Sequence, residues 1–577
     1  MLTSWGRALD PARILPEYPR PQFRRREYLM LNGFWEAAVT KTAVIPQEFP
    51  HKILVPFSPE SELARFSHTL LPDEYLYYRR SVAIPDAWRG RVLLHFGAVD
   101  QQADVFLNGE HAASHAGGYL PFCCEIKDAA PGKEITIVVR VRDMTDRSFH
   151  SRGKQTLRPG GIWYTPQSGI WQSVWMEPVP EEFIEKLVIT PDLDEEVVRI
   201  TVKSQTAAPC AVLFGGGTYA GRTNEEITID ARDLELWTPD TPILHDFSVQ
   251  MGRDRVESYF AMRKFSTMRD ERGVLRLALN DRILFHSGLL DQGYWPDGLY
   301  TAPDDRAFIR DITLAKQMGF NVLRKHIKVE PLRFYYHCDR LGMIVWQDMP
   351  CGGGRFDPLI VTAPLFTRIH LKDRHYRLFG RGDAQGRAQY SRELCDMIEH
   401  LYNCPCIGMW VPFNEGWGQF DAARTLERIT ALDPTRTVDH ASGWHDQKCG
   451  LFKSEHVYFR RYRFRPDRLD RCVILSEFGG YSHAVPSHSR IAKREFGYKK
   501  ERSLSRLEAH FVSLYENEIF PAREKGLAAA IYTQLSDVED ECNGLVTYDR
   551  QVVKIPIKTI RKVNRRLCFP NEGKSKK

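Results

Sequence analysis

The chain contains 577 residues, and its 80 basic and 74 acidic side chains give a formal net charge of +6. A hydrophobic content of 43% and a charged content of 27% are ordinary for a globular protein, and the length predicts two to four domains. The small basic surplus is spread along the chain, which argues against a nucleic-acid partner, and no apolar stretch approaches the ~20 residues that span a bilayer.

The N-terminus and the cysteines favour a cytoplasmic protein. The first residues, Met1–Asp10, lack the apolar core of a signal peptide. The 12 cysteines are scattered and show no paired Cys-x-x-Cys spacing, so a structural zinc site is not expected. Reduced thiols in the cytoplasm are the simplest account of this pattern.

Residues 1–180 predict an all-β domain. Apolar and aromatic runs such as Tyr75–Ile84 and Ile135–Val141 alternate with turns rich in Gly, Pro and Asp. Asn108-Gly109 favours the positive φ angles of a tight hairpin. This spacing of short strands is typical of a β-sandwich or jelly roll.

Residues 181–267 predict a second, smaller β-domain. They contain the strand-like runs Phe183–Ile189 and Val197–Val202 and the proline-rich turn Leu236–Pro242. About ninety residues in short strands suit an immunoglobulin-like sandwich.

Residues 268–577 predict alternating strands and helices. Helices are expected at 304–319, where an apolar stripe at helical spacing ends in glycine, and at 504–525. The segment 351–391, rich in Gly and Arg, is expected to be a long loop. The eight strand candidates are 282–290, 321–326, 343–349, 407–414, 437–443, 455–459, 472–477 and 527–535. Eight strands over about 300 residues fit a (β/α)8 TIM barrel, in which the carboxyl ends of the strands carry the chemistry.

Two glutamates occupy matching positions at the ends of predicted barrel strands. Glu415 lies in Trp410-Val-Pro-Phe-Asn-Glu-Gly and Glu477 lies in Val473-Ile-Leu-Ser-Glu-Phe-Gly-Gly. A buried strand that ends in a carboxylate and a tight turn holds that carboxylate on a rigid rim. Retaining glycoside hydrolysis needs two such groups, an acid/base and a nucleophile, and the charge on one raises the pKa of the other. The alternative is that each glutamate is a solvated rim carboxylate or a salt-bridge partner.

Short sequence signatures occur in all three predicted domains. Those of the barrel are Met318-Gly-Phe-Asn-Val-Leu-Arg, Cys338-Asp-Arg-Leu-Gly-Met, Trp410-Val-Pro-Phe-Asn-Glu and Ser476-Glu-Phe-Gly. Those of the β-domains are Asn32-Gly-Phe-Trp, Val55-Pro-Phe, Tyr78-Arg-Arg, Asp104-Val-Phe-Leu-Asn-Gly, Ser168-Gly-Ile-Trp-Gln, Leu236-Trp-Thr-Pro and Met262-Arg-Lys-Phe. Together they resemble glycoside hydrolase family 2, the family of β-galactosidases, β-glucuronidases and β-mannosidases. The resemblance implies a sugar-binding jelly roll, an immunoglobulin-like domain and a catalytic TIM barrel.

The resemblance also implies roles for individual barrel residues. Glu415 would be the acid/base and Glu477 the nucleophile. Asn414 would hydrogen-bond the 2-hydroxyl of the sugar, although an asparagine here also suits the cap of a turn. Arg324 ends the second strand, where the family keeps an arginine near the nucleophile, and structural support of Glu477 competes with substrate contact.

Further candidates for sugar contact lie at other strand ends and in Gly-flanked loops. They are His326, Asp291, Trp417, Trp444, Tyr458 and Gln534. Core packing is the alternative for the tryptophans. For His326 the alternative is packing at the strand end, and for Asp291 it is an ion pair. Tyr458 and Tyr462 compete for the position of the family's tyrosine beside the nucleophile. Asp348, which closes the third strand, is better explained as an ion-pair partner.

Departures from the family pattern change which metal and which substrate are expected. The magnesium ligands that follow the third strand in β-galactosidases are replaced by Asp348-Met-Pro-Cys-Gly-Gly, and Gly480 stands where those enzymes hold a histidine. We therefore expect no obligatory metal and no organic cofactor. Glucuronidases grip the sugar carboxylate with Asn-x-Lys, which this chain lacks, and the matching segment begins at Glu541. A neutral sugar is therefore favoured.

The leading hypothesis is a cytoplasmic, retaining exo-β-glycosidase of β-galactosidase-like specificity, acting on a small carbohydrate. The sequence is compatible with a homo-oligomer and gives no sign of a nucleic-acid or membrane partner. Within the enzyme class, β-glucuronidase and β-mannosidase activities are alternatives. A carbohydrate-binding protein without turnover is the alternative from another class, and retention of both glutamates argues against it.

Overall fold

A computed structural model describes residues 1–367, 369–491 and 494–568. It contains two β-sandwiches followed by a parallel, nearly closed eight-stranded barrel, so the predicted fold class is confirmed. The 11 cysteines whose side chains the structure describes, from Cys123 to Cys542, are free thiols. Among the described residues, no helix combines the length and the hydropathy needed to cross a membrane.

The strands and helices are numbered here in chain order. The strands are β1 (Leu29–Met30), β2 (Gly33–Thr40), β3 (His51–Val55), β4 (Tyr75–Ala83), β5 (Arg91–Phe96), β6 (Val99–Asp100), β7 (Gln102–Leu107), β8 (Glu110–Ala116), β9 (Phe122–Glu125), β10 (Glu134–Arg142), β11 (Gly169–Ile170), β12 (Val174–Val179), β13 (Lys186–Asp192), β14 (Val197–Lys203), β15 (Pro209–Phe214), β16 (Gly217–Arg222), β17 (Glu226–Asp230), β18 (His245–Met251), β19 (Asp254–Phe260), β20 (Phe265–Arg269), β21 (Leu275–Leu279), β22 (Arg282–Ile283), β23 (His286–Asp291), β24 (Val322–Lys325), β25 (Ile344–Asp348), β26 (Ile407–Val411), β27 (Thr437–Val438), β28 (Phe452–Val457), β29 (Cys472–Gly479), β30 (Tyr481–Ser482), β31 (Lys499–Lys500) and β32 (Ala529–Thr533). The helices are α1 (Ser4–Arg7), α2 (Asp305–Gln317), α3 (Leu332–Leu341), α4 (Pro358–Val361), α5 (Ala384–Leu401), α6 (Ala422–Leu432), α7 (Leu504–Leu514), α8 (Phe520–Lys525) and α9 (Ile557–Cys568).

The first sandwich is built from two antiparallel sheets, with strand orders β1-β12-β5-β9 and β3-β2-β4-β10-β7-β8. Alternate residues of these strands face a shared apolar core that includes Trp35, Leu94, Val139 and Met176. This alternation is the period-2 pattern that predicts a half-buried strand.

The second sandwich is smaller and pairs the sheets β13-β14-β17 and β16-β15-β18-β19. In β14, Val198, Ile200 and Val202 are buried and the intervening residues are partly exposed. These side chains meet Val212 and Val249 of the facing sheet in one core. Each sheet therefore buries one face, as in an immunoglobulin-like sandwich.

The barrel strands run parallel in the order β27-β26-β25-β24-β23-β32-β29-β28. Each of the eight overlaps one of the strand candidates, so those predictions are confirmed. All residues of β23, β24, β25, β26, β29 and β32 are buried, because helices cover the outside and side chains fill the inside.

The predicted helices 304–319 and 504–525 are also confirmed. Helix α2 begins after Asp304, whose side chain accepts a hydrogen bond from the amide of Arg306. Gly319 follows the end of α2 at φ +85°, a conformation that glycine adopts without strain. The second region runs through α7, a single π-helical segment Tyr515–Ile519 and α8.

The segment 351–391 is only partly a loop, which corrects that prediction. It contains α4, the 3-10 turn Ala363–Leu365 and the start of α5. Helix α5 begins early because the side chain of Asp383 accepts a hydrogen bond from the amide of Gly386. The loop was predicted from the high content of glycine and arginine, and this cap was not recognised in the sequence.

A long segment of the first sandwich, residues 143–168, lies against the barrel. The amides of Arg152 and Gly153 donate to the carbonyl of Cys351 at 2.8 and 3.0 Å, and Ser151 forms a β-bridge with Gly352. The first domain thereby reaches the carboxyl ends of the barrel strands, where Glu415 and Glu477 are found.

Candidate active site

Glu415 and Glu477 face each other at the carboxyl end of the barrel. Glu477 belongs to β29, and Glu415 follows β26. One carboxylate oxygen of each, together with a nitrogen of His456, forms a group whose atoms all lie within 4.8 Å of one another. The two residues are only 6% and 3% exposed, so the pair is removed from bulk water.

The backbone around Glu415 is held in an unusual conformation. Glu415 has φ +51° and Gly416 has φ +74°, and the amide of Glu415 donates to the carbonyl of Ser442 at 2.9 Å. A β-carbon at position 416 would overlap the ring of His445, so glycine is required there. Left-handed backbone at a non-glycine residue is uncommon and occurs often at functional sites.

Arg324 organises the acidic side chains beneath the pair. Its guanidinium donates two hydrogen bonds to Asp348, both 3.0 Å, and one of 3.1 Å to Glu477. It also donates to the side-chain oxygen of Asn414 at 2.8 Å. This contact directs the Asn414 amide nitrogen away from Arg324, and that nitrogen is buried without a partner among the described residues.

His456 bridges the two glutamates, and the sequence reasoning missed it. Its Nδ1 lies 2.8 Å from Glu415 and 3.5 Å from Glu477. Nε2 lies 3.1 Å from the hydroxyl of Ser442 and 3.4 Å from Arg324, which can only donate. With Nε2 as the acceptor, Nδ1 carries the proton and donates it to Glu415. The available signal was the alternation in β28, which buries Phe452, Ser454 and His456.

Tyr458 is the tyrosine beside the predicted nucleophile. Its hydroxyl donates to Glu477 and lies 2.9 Å from the hydroxyl of Thr533. Its ring stacks on Tyr498 at a centroid distance of 3.5 Å. Tyr462, the other candidate, instead donates from its backbone amide to Glu518.

The surroundings of the two carboxyl groups affect their pKa values differently. Burial raises the pKa of Glu415 to about 8, while Lys154 and Arg324 oppose that rise. Burial also raises the pKa of Glu477, with a contribution from Glu415, but His456, Arg324 and the hydrogen bond from Tyr458 oppose it. A proton shared by the pair is therefore held on Glu415, which is the arrangement that an acid next to a charged nucleophile requires.

Three of the residues predicted to contact a sugar interact with other side chains of the protein. Asp291 lies 2.7 Å from the ammonium of Lys325. His326 contacts Asp348 at 2.9 Å. Gln534 accepts a hydrogen bond of 2.7 Å from Gln292 and donates one of 2.8 Å to Asn543. Each is buried within a polar network, and its contact with a sugar stays a prediction.

The two predicted tryptophans lie close to the pair. Trp444 meets the ring of His456 edge-on at 6.3 Å. Trp417 packs against Trp163 of the first domain at 5.2 Å and against Phe356 at 6.5 Å. Both side chains are buried. Each tryptophan therefore packs inside the protein and also lies beside the site.

Glu415, His456 and Glu477 are also the group in the described residues whose ligand atoms are close enough to hold a metal ion. A metal bound there would engage both carboxylates at once. The expectation that no metal is obligatory stays a prediction.

Comparison with known proteins identifies the barrel. Residues 301–475 match the family model described as glycosyl hydrolases family 2, TIM barrel domain. A β-galactosidase of Thermoanaerobacterium thermosulfurigenes is 24% identical over 63% of this chain and 51% of its own length. A β-glucuronidase of Bacteroides fragilis is 23% identical over 67% of this chain and 56% of its own length. The chain thus spans about half the length of these curated relatives.

Solved structures share the whole fold. A β-D-glucuronidase of Dictyoglomus thermophilum superposes with a TM-score of 0.72 at 17% identity, covering 95% of this chain and 98% of the other. A β-galacturonidase from Eisenbergiella tayi gives a TM-score of 0.70 at 19% identity, covering 96% of this chain and 100% of the other. At this identity the likeness speaks for the fold alone.

Proposed function

The chain belongs to glycoside hydrolase family 2, and on this premise we propose that it is an exo-β-glycosidase that works with retention of configuration. Glu415 is the acid/base and Glu477 is the nucleophile of the proposed reaction. The short gap between the carboxylates carries the proposal. Retaining enzymes hold their two carboxyl groups about 5–5.5 Å apart, whereas inverting enzymes leave about 6.5–9.5 Å for a water molecule.

The proposed reaction has two steps. Glu415 gives its proton to the glycosidic oxygen while a Glu477 oxygen attacks the anomeric carbon, so the aglycone leaves as an alcohol and a glycosyl ester forms. Water then attacks the same carbon, Glu415 takes the proton of that water, and Glu477 is released as a carboxylate. Each side chain returns to its starting protonation state.

The neighbours of the pair suit this sequence. Arg324 and Tyr458 donate to Glu477 and favour its charged form. The unpartnered nitrogen of Asn414 can donate to the 2-hydroxyl of a bound sugar, a contact that strengthens in the transition state. A protein that only bound carbohydrate would have no need of a buried acid beside a buried carboxylate.

The identity of the sugar is the finer part of the proposal. The lack of Asn-x-Lys favours a neutral sugar, with β-galactosides first, and β-mannosides are an alternative. Relatives named β-glucuronidase favour a uronide instead. The two classes differ at C6, where a hydroxymethyl group is replaced by a carboxylate.

A panel of nitrophenyl β-glycosides tests the function. We expect the wild type to hydrolyse at least one of the galactoside, glucoside, mannoside, glucuronide and galacturonide, and to release the β-anomer first, as proton NMR can show. Glu415→Gln and Glu477→Gln should each lower turnover by several orders of magnitude. Glu110→Gln, on the exposed strand β8, is the matched control and should behave like the wild type. Tight sugar binding without turnover by the wild type would instead support a binding protein.

A further inference from the structure

A lysine of the first sandwich enters the candidate active site. Lys154 is only 5% exposed and lies in the segment 143–168. The backbone hydrogen bonds from Arg152 and Gly153 to Cys351 hold this segment on the barrel. Lys154 is therefore part of a fixed contact between the domains, and its position is set by the fold.

The ammonium group of Lys154 lacks a protein partner within the described part of the chain. It lies 5.4 Å from the ring centroid of Tyr164 and 5.9 Å from that of Trp417. No acceptor among the residues that the structure describes lies within hydrogen-bond or ion-pair distance of it. By contrast, the buried Lys325 pairs with Asp291 at 2.7 Å, and the buried Lys328 pairs with a glutamate at 2.9 Å.

A buried charge without a counterion is costly, and buried lysines in proteins are normally paired. The two paired lysines nearby show that this barrel supplies carboxylates where it buries ammonium groups for structural reasons. An unpaired ammonium beside the catalytic pair therefore points to an anion that arrives with the ligand.

Lys154 is electrostatically close to the reacting groups. Burial raises the pKa of Glu415, and the positive charge of Lys154 opposes that rise. Burial also lowers the pKa of His326, and Lys154 adds to that effect. Tyr164, over which the ammonium lies, donates its hydroxyl to Glu541. Lys154 thus approaches the segment that matches the Asn-x-Lys of glucuronidases, which lies after the eighth barrel strand.

Glu541 does not neutralise Lys154. Its carboxylate accepts hydrogen bonds from Tyr164 and, at 3.0 Å, from Asn543, and it forms no ion pair with Lys154. The ammonium keeps three donors for a ligand and lies near the rings of Tyr164 and Trp417.

We propose that Lys154 is the specificity-determining cation of this site and binds the carboxylate of a terminal β-linked uronic acid. The inference rests on the proposed function and names its substrate class. It reverses the preference for a neutral sugar, because the cation missing after the eighth strand is supplied from another domain. A neutral sugar would leave the ammonium buried and unpaired.

Paired substrates that differ only at C6 test the inference. Values of kcat/KM are measured for nitrophenyl β-D-glucuronide against the β-D-glucoside, and for the β-D-galacturonide against the β-D-galactoside. We expect the wild type to prefer the uronide in at least one pair. Lys154→Met should lower that ratio by about 10- to 100-fold, the loss typical of one charge-assisted hydrogen bond, and Lys154→Arg should lower it less. Lys41→Met, on the surface of the same domain, should leave the ratio unchanged.

Two results would overturn the inference: a preference of the wild type for the neutral partner in both pairs, or equal losses on both members of a pair in Lys154→Met. The second result, with a shifted alkaline limb of the pH profile, would make Lys154 an electrostatic partner of Glu415. If no glycoside is hydrolysed, the proposed function fails. Calorimetry with free D-glucuronate and D-galacturonate then tests separately whether Lys154 binds the carboxylate. Binding by the wild type that is lost in Lys154→Met supports the role of Lys154, whereas no binding by the wild type refutes it.

Discussion

At the residue scale, the candidate site depends on one histidine that holds two carboxylates. The neutral ring of His456 donates from Nδ1 to Glu415, because Arg324 occupies the other nitrogen as a donor. Burial lowers the pKa of His456 to about 4, so the ring stays uncharged near neutral pH. His456 is thus a positioning residue that orients Glu415 towards Glu477.

Removing this donor should weaken catalysis. We expect His456→Ala to lower kcat/KM by about 10- to 100-fold, because a hydrogen bond to a charged group contributes about 1.5–3 kcal/mol. The lost donor also destabilises the charged form of Glu415, so its pKa, and with it the alkaline limb of the pH profile, should move upward. His456→Asn restores a donor and should recover part of both effects. An Ala variant with an unshifted alkaline limb would contradict this role.

The pH dependence of the wild type follows from the two glutamates. The proposed glycosyl transfer requires Glu415 protonated and Glu477 charged. Since the pKa of Glu415 is raised to about 8, kcat/KM should stay high below that pH and fall as pH rises through it. On the acid side, kcat/KM should fall as Glu477 becomes protonated, at a pH above the usual glutamate range. A profile of kcat/KM that already declines between pH 5 and 6 on its alkaline side would refute this assignment.

The sequence predicted the residues that stand at strand ends and missed those that meet only in space. Glu415, Glu477, Asn414 and Arg324 were predicted as site residues, and the structure brings all four together. Lys154 comes from a loop of another domain, and no local pattern of residues encodes that it will lie against the barrel. Such a contact is fixed by the packing of the whole domains.

At the element scale, the strands and the long helices were predictable and the loop after β25 was not. The barrel strands are continuous apolar runs because both faces are buried, and the sandwich strands alternate because one face is. The loop depends instead on single caps and on close contacts, such as Asp383 at the start of α5 and Gly352 beneath the segment 143–168.

A substitution at Gly352 tests the contact that carries Lys154. A β-carbon at this position would overlap the backbone of His150 and Ser151, which cannot rotate away as a side chain can. We expect Gly352→Ala to shift the segment 143–168 and to lower kcat/KM, by up to about 100-fold if the displacement reaches about 1 Å. The stability cost should be about 1–3 kcal/mol.

Gly354 is the matched control for that substitution. A β-carbon there would meet its nearest atom, the carbonyl oxygen of Gly380, at 3.6 Å, an ordinary van der Waals contact. Gly354→Ala should therefore retain the activity of the wild type. Equal activity of both alanine variants would show that the placement of the segment does not matter for catalysis.

At the scale of the whole molecule, a buried ion network joins the two sandwiches. Arg25, in the chain before β1, donates to Glu177 of β12 at 2.9 Å and to Asp254 of β19 at 2.8 Å. Arg20 also pairs with Glu177, whose side chain is fully buried. The first sandwich can hold Lys154 over the barrel only while its own position is fixed, so this network links stability to the site.

Replacing Glu177 should destabilise the protein, because Arg20 and Arg25 would lose their shared buried partner. Breaking one side of a buried ion pair costs about 3–5 kcal/mol. Glu177→Gln should therefore lower the temperature of thermal unfolding at pH 7 by several degrees. Glu27→Gln removes a charge of the same type from an exposed position in the same region and should change it little.

The same network predicts how stability depends on pH. Arg20, His95 and Arg25 outweigh the effect of burial and hold the pKa of Glu177 well below its usual range. A carboxylate whose pKa is lowered by folding stabilises the fold above its unfolded pKa of about 4.3, and this contribution is lost as pH falls towards the folded value. The difference in unfolding temperature between the wild type and Glu177→Gln should thus be full at pH 7 and shrink steadily below about pH 4. A difference that stays constant down to pH 3 would mean that the charge of Glu177 does not hold the sandwiches together.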